Sequence, residues 1–323
     1  ASLEGMLVPL QNDWVLSVDD VNLLVLTVAA GSLLILFAAG GLVDRIGSRR
    51  ILRAGALAAI TGALLVALAQ AVPWLFLGRI IGGVGGTAMS VAALALLNER
   101  ITEERERAYV FGLFAAVTGA IFAISPFLAS VVSDTFTWRL VPLLWIACAL
   151  AAVTVMPSSV PPPRKGTELV TPLAAGVALS GLCVAALTAK SSALLSTAFF
   201  SVALVAIAIF GLRWRSLKRA GRSPGLDVSI FAAPGAKPLM GAMLAIGFVN
   251  LVVYSNLFLQ YRLGMSPAQT AALLVIPQVA GILGGLVGGW ASARLGSPLV
   301  TAIALAMGVA AALCCTSIGE GSS

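Results

Sequence analysis

Histidine is absent from this chain. Charge is scarce too: Asp, Glu, Lys and Arg together make up 10% of the residues, against about 25% in soluble domains. The four cysteines, Cys148, Cys183, Cys314 and Cys315, all lie in apolar runs. With no ligand spacing and no histidine to join them, they read as small packing residues rather than metal ligands or disulfides. No G-x-x-x-x-G-K-[ST] phosphate loop occurs, which argues against an ATP-driven pump. There is no His/Asp/Glu cluster, no metal spacing and no nucleophile motif, so an enzyme is not expected and no cofactor is called for.

What the chain has is apolar surface. Hydrophobic residues make up 59% and mean hydropathy is +1.03. A water-soluble core cannot hide that much. The runs are long and continuous rather than alternating, so the fold class is an all-α polytopic membrane protein. The first run, 1–10, is shorter than the roughly 20 residues a spanning helix needs and has no basic n-region, so it is not a signal peptide. It contains Glu4, an acid within a candidate span. Further spans are expected at 21–43, 51–70, 74–98, 108–132, 138–156, 168–188, 192–212, 238–260, 267–291 and 299–317. The stretch 99–107 has charges that nearly cancel and reads as a solvated turn. Residues 157–167 hold three consecutive prolines, which exclude helix. The expected organisation is an N-terminal bundle over 1–156, a proline-rich linker at 157–167, and a two-helix hairpin at 168–212. A basic loop at 213–237 and a partial C-terminal bundle over 238–323 follow.

The net charge of +7 would suggest nucleic acid in a soluble protein. Here its distribution fits the positive-inside rule instead. Sixteen Lys and Arg residues fall in the loops of one side and three (Arg139, Lys190, Arg262) on the other. Arg79 lies within a span and belongs to neither. The bias places the loop around Asp44 in the cytoplasm of a cell-membrane protein.

That loop is the most distinctive stretch in the chain: Gly40, Leu42, Asp44, Arg45, Gly47, Arg49 and Arg50 at fixed spacing between two apolar runs. Glycines suit both close helix approach and a sharp reversal. Part of the pattern returns after residue 288. Gly289, Arg294, Gly296 and Ser297 pair with Gly40, Arg45, Gly47 and Ser48, while Ala293 stands where Asp44 does. Two related bundles would carry such a repeat.

The spelling G-x-L-x-D-R-x-G-x-R-R resembles the loop between the second and third helices of the major facilitator superfamily. A plain basic loop is the alternative. The stretch from Arg79 through Gly82, Gly83, Gly85, Gly86 and Ala88 is similar to the R-x-x-Q-G-x-G-x-x-A pattern of that superfamily, with Gly82 where glutamine is common. Ser125-Pro126 with Ala129 and Ser130 is a degraded version of an antiporter G-P-x-x-G-G element. The 259–277 region and the 168–212 hairpin resemble the 14-helix drug:proton antiporter group. On that resemblance three helices should follow Ser323 and most of span 1 should precede Ala1, so the chain is expected to be truncated at both ends.

The resemblance implies a secondary transporter that exports small amphiphilic or drug-like compounds by alternating access, powered by a proton gradient. Metabolite uptake or exchange, and a non-transporting membrane sensor with the same fold, are the alternatives. Its implied partners are the lipid bilayer, protons and a small-molecule substrate, with no nucleic acid. The sequence does not determine oligomeric state, and a monomer is the working expectation. In the family Asp44 and Arg45 would belong to a cytoplasmic gate and Arg79 to proton coupling. An arginine at a helix centre costs about 2.5–3.5 kcal/mol on insertion scales, which something in the bundle should offset. The alternative is that Arg79, about 8 Å from the start of its span, snorkels to the outer interface. Glu4 is either a cavity acid or a group near the chain end. Asn250, Asn256 and Gln260 line the cavity or bond to neighbouring helices. Gly82, Gly83, Gly86 and Pro126 are candidates for cavity lining or helix packing.

Overall fold

A computed structural model describes residues 10, 13–14, 16, 18–101, 103–155, 168–226, 228–229 and 267–318. Within them the chain is helical: α1 Val18–Ile46, α2 Ser48–Ala67, α3 Val72–Arg100, α4 Glu104–Thr135, α5 Val141–Thr154, α6 Val170–Thr188, α7 Ala193–Arg219, α8 Pro267–Leu295 and α9 Ser297–Ile318. A 3-10 turn, Trp138–Leu140, leads into α5. Among the described residues seven helices are long and apolar enough to cross a membrane. Ala and Leu supply the helical preference, Val and Ile add apolar surface, and bilayer crossing requires that every backbone group be satisfied within the helix.

The chain divides into two units. One holds Ser2–Arg100 and Leu128–Asp227; the other holds Ile101–Phe127 and Val228–Ser323. The first unit is built by backbone contact. Membrane helices gain nothing by hiding apolar side chains from apolar lipid, so they associate through small residues that bring main chains together. A Cβ added at Gly62 of α2 would stand 2.6 Å from the Gly78 oxygen and the Gly82 nitrogen of α3. One added at Gly55 would stand 2.9 Å from the Gly85 oxygen. On the other side of α3, Gly83 meets the Val28 carbonyl of α1, and Ser32 Oγ donates to the Gly83 oxygen at 3.4 Å. α6 in turn lies on α1, with Gly176 against the Leu34 carbonyl. α7 packs on α6, where Ser196 Oγ donates to the Ala185 oxygen at 2.8 Å.

Two buried clusters close the ends of this unit. One gathers Leu10, Leu24, Val66, Ala69, Leu75, Ala129, Trp138 and Val141. Trp138 is only 2% exposed, and its indole N–H donates to Asp13 Oδ2 at 2.6 Å. The Arg139 guanidinium lies 4.6 Å from the Trp138 ring centroid. It donates to the Ala67 and Ala69 oxygens at 3.2 and 2.8 Å, satisfying carbonyls that the end of α2 leaves open. The second cluster holds Val43, Ile51, Leu52, Ala88, Ala92 and Leu96.

In the other unit, the first part of α4 and α8 meet through glycines. A Cβ on Gly112 would stand 2.8 Å from the Gly289 Cα, and one on Gly285 would stand 3.2 Å from the Ala116 nitrogen.

The expected spans agree with these helices within a few residues wherever the chain is described. Two differences are physical. The stretch 40–50 is not a loop: α1 runs through Ile46 and α2 starts at Ser48, so Gly47 alone turns the chain. The basic stretch after Leu212 does not start as a loop either, because α7 continues to Arg219. Arg and Lys end an apolar run but are good helix formers. The span at 238–260 and the linker at 157–167 lie outside the described residues.

Candidate functional site

The clearest candidate is the interior of α3. Arg79 follows the first two turns of that helix, where Gly78 lets α2 come close and Gly83 lets α1 come close. The side chain is mostly shielded. Its Nε is buried and has no hydrogen-bond partner among the described residues. Instead the guanidinium lies over the indole of Trp145 on α5, 5.8 Å from the ring centroid. A cation held by a ring face keeps its charge without neutralisation by a carboxylate. A buried donor left open is costly unless something reaches it. The arrangement is therefore suited to receive an anionic or hydrogen-bond-accepting group.

The glycines next to Arg79 separate into two sets. Gly78, Gly83 and Gly85 face neighbouring backbone directly, whereas a Cβ at Gly82 or Gly86 would meet nothing within 4 Å. Pro126 lies inside α4, which continues past it to Thr135. Glu4, Asn250, Asn256 and Gln260 lie outside the described residues.

At the α1–α2 turn, Gly47 has φ +98° and ψ 143°, a region essentially restricted to glycine. Gly40 has open space around it. Asp44 and Arg45 are both exposed, and no side-chain hydrogen bond or ion pair joins them to the other described residues. Arg49 is half-buried and Arg50 exposed. The polar tie at this turn is one that sequence reasoning missed. Ser48, fully buried, donates its hydroxyl proton to Glu99 Oε1 of α3 at 3.0 Å. By sequence Glu99 reads as part of a solvated charged turn, because nothing local marks it as the partner of a serine 51 positions away.

In the other unit the counterpart turn carries Gly296 at φ +86°. Just before it, a cavity of about 330 Å³ is lined by Glu103, Glu106 and Tyr109 of the α4 end and by Trp290, Ala293 and Arg294 of α8. The Arg294 guanidinium sits 4.5 Å over the Trp290 ring.

Comparison with known proteins accords with this architecture. The chain is 28% identical over 260 residues to the methylenomycin A resistance protein of Bacillus subtilis, covering 78% of this chain and 55% of that protein. It is 27% identical over 279 residues to the methyl viologen resistance protein SmvA of Salmonella typhimurium, covering 83% and 55%. It is also 27% identical over 284 residues to the multidrug efflux pump LfrA of Mycolicibacterium smegmatis, covering 84% and 53%. The chain thus spans about half the length of the curated relatives it matches. Residues 2–323 match the Major Facilitator Superfamily, and with membrane helices and a repeated glycine turn in place, the chain belongs to that superfamily of transporters.

Proposed function

We propose that this chain is part of a proton-coupled exporter of small amphiphilic or drug-like compounds, of the 14-helix antiporter kind, working by alternating access in the cell membrane. The observation that carries the reading is Arg79. A guanidinium inside a membrane helix, backed by a ring rather than a carboxylate, is an attractive partner for an acid that gains and loses a proton. Substrate and proton would then compete through one shared charge. Relatives named for resistance and efflux support the export direction. Gly47 and Gly296, both at positive φ, each separate two helices by a single residue, which suits a fold of two related halves. The Asp44 turn would face the cytoplasm by the bias of Lys and Arg. There Asp44 and Arg45 would act only in the state that brings partners to them.

The test is efflux of methyl viologen or ethidium from an efflux-deficient bacterium that expresses the protein. Efflux should exceed that of the empty vector and collapse when a protonophore is added. It should vanish in Arg79→Ala at equal membrane abundance. Efflux that survives the protonophore would remove proton coupling, and uptake in place of efflux would reverse the direction.

A further inference from the structure

The α6–α7 hairpin is fastened at its open end. Glu168, just before α6, accepts from the amides of Val170 and Thr171 at 2.9 and 3.1 Å and from the Thr171 hydroxyl at 2.6 Å. These bonds satisfy amides that the start of a helix leaves open. The same carboxylate also reaches outward. Its Oε2 accepts the amide N–H of Gly225 at 3.3 Å, and its Oε1 faces Arg213 Nε of α7 at 3.5 Å. Thr171, fully buried, takes the next amide: the Leu226 N–H donates to Thr171 Oγ1 at 3.2 Å.

Two consecutive backbone amides of the segment after α7 thus end on two side chains at the start of α6. The shape of the segment fits the same contact. Gly221, at φ +65°, turns the chain away from the axis of α7, and Pro224 is buried. Gly225 then lies directly against the Glu168 main chain. A Cβ there would stand 2.8 Å from the Glu168 carbonyl carbon and 3.1 Å from Pro172 Cδ. Glu168 and Gly225 are 57 positions apart along the chain, yet one hydrogen bond joins them. The chain leaves the hairpin where it entered.

We propose that residues 224–226 form a strap, fastened to Glu168 and Thr171, that holds the exit of the hairpin to its entry. The chain before Glu168 and the chain after Leu226 are then tied to each other directly, and not through the packing of α6 on α7. Helix packing does not require such a strap. α6 and α7 meet along their length through other groups: Gly181 faces the Phe199 oxygen and Ala203, and Ser196 bonds the Ala185 oxygen. An ionised acceptor makes the stronger kind of hydrogen bond. Glu168 is already oriented by its bonds to α6, so the strap docks on a preformed partner.

Distances between paired nitroxide labels, measured by pulsed electron resonance on the whole chain in nanodiscs, test this. The background carries Cys148→Ser, Cys183→Ser, Cys314→Ser and Cys315→Ser. One label pair, Val170→Cys with Ser223→Cys, spans the strap; the second, Val170→Cys with Leu212→Cys, spans the two helices. All three labelled positions are exposed. Each pair should give one narrow distance in this background. Gly225→Ala adds a methyl group that the Glu168 carbonyl leaves no room for. Glu168→Ala with Thr171→Val removes both acceptors of the strap. Each change should spread the strap distance into a broad distribution and leave the helix distance narrow. Thr171→Ser keeps the hydroxyl and should keep the narrow strap distance. A strap distance that is broad in the background, or that stays narrow in either disrupted form, would overturn the proposal. So would its loss in Thr171→Ser, which would take the hydroxyl out of the fastening. Broadening of both pairs together would make these bonds part of the helix packing, and would overturn it too. None of these outcomes depends on transport.

Discussion

Gly47 and Gly296 share a positive φ, +98° and +86°, and each is the one non-helical residue between two helices. The amide of each bonds to the carbonyl four residues back, Gly47 to Val43 at 2.8 Å and Gly296 to Ser292 at 3.2 Å. A side chain at either position would hold the backbone where non-glycine residues pay about 1–3 kcal/mol. Gly47→Ala and Gly296→Ala should therefore each lower stability by that order in detergent unfolding. Gly40→Ala, with open space around it, should leave the unfolding midpoint unchanged.

Arg79 and Trp145 call for paired measurements of stability and transport. A buried cation usually costs stability, so Arg79→Met should keep or raise the unfolding temperature while abolishing efflux. A purely structural arginine would do the reverse. Trp145→Phe retains a ring face and should retain transport. Trp145→Ala removes an interaction worth about 0.5–2 kcal/mol and should weaken transport several-fold.

The α2–α3 seam separates glycines that pack from glycines that do not. Gly62→Ala would press a methyl group onto the Gly78 and Gly82 backbone and should destabilise by about 1–3 kcal/mol. Gly82→Ala and Gly86→Ala should fall within about 0.5 kcal/mol of the parent. If either one nevertheless reduces efflux, its open side belongs to the substrate path. Unfolding in detergent and efflux in cells, measured on the same three variants, decide this.

Glu168 supplies a pH-dependent tie outside the membrane spans. Burial pushes its carboxyl pKa up, but the Thr171 hydroxyl and the amides of Thr171, Gly225 and Val170 outweigh this and hold it below the ordinary value of 4.5. The folded state thus favours the ionised form. The resulting stability is full above the ordinary carboxylate range and is lost as pH falls through the depressed folded value. Thermal unfolding between about pH 5 and 3 should show this loss in the parent chain. Glu168→Gln should be less stable at pH 7 and flatter over the same interval. An identical pH profile in the two proteins would disprove the assignment.

Hydropathy and spacing made the helices and the repeated turn legible, because both are local. Apolar runs set span lengths, and a glycine flanked by apolar residues and arginines marks a reversal. The partnerships were not legible. Nothing near Arg79 names Trp145, which lies on another helix whose apolar run looks like any other. Ser48 and Glu99 each looked like an ordinary loop residue until helix packing joined them. The end of α7 is hidden for a related reason: hydropathy stops at the first arginine, while the helix runs on to Arg219, two residues before Gly221 takes a positive φ.

The contact of Gly176 with Leu34 has a mechanical consequence. Where α6 lies on α1, main chain touches main chain with no side chain between them to yield. The two helices are geared rather than lubricated. Any tilt of α1 must therefore carry the α6–α7 hairpin with it, and the three helices keep one common frame.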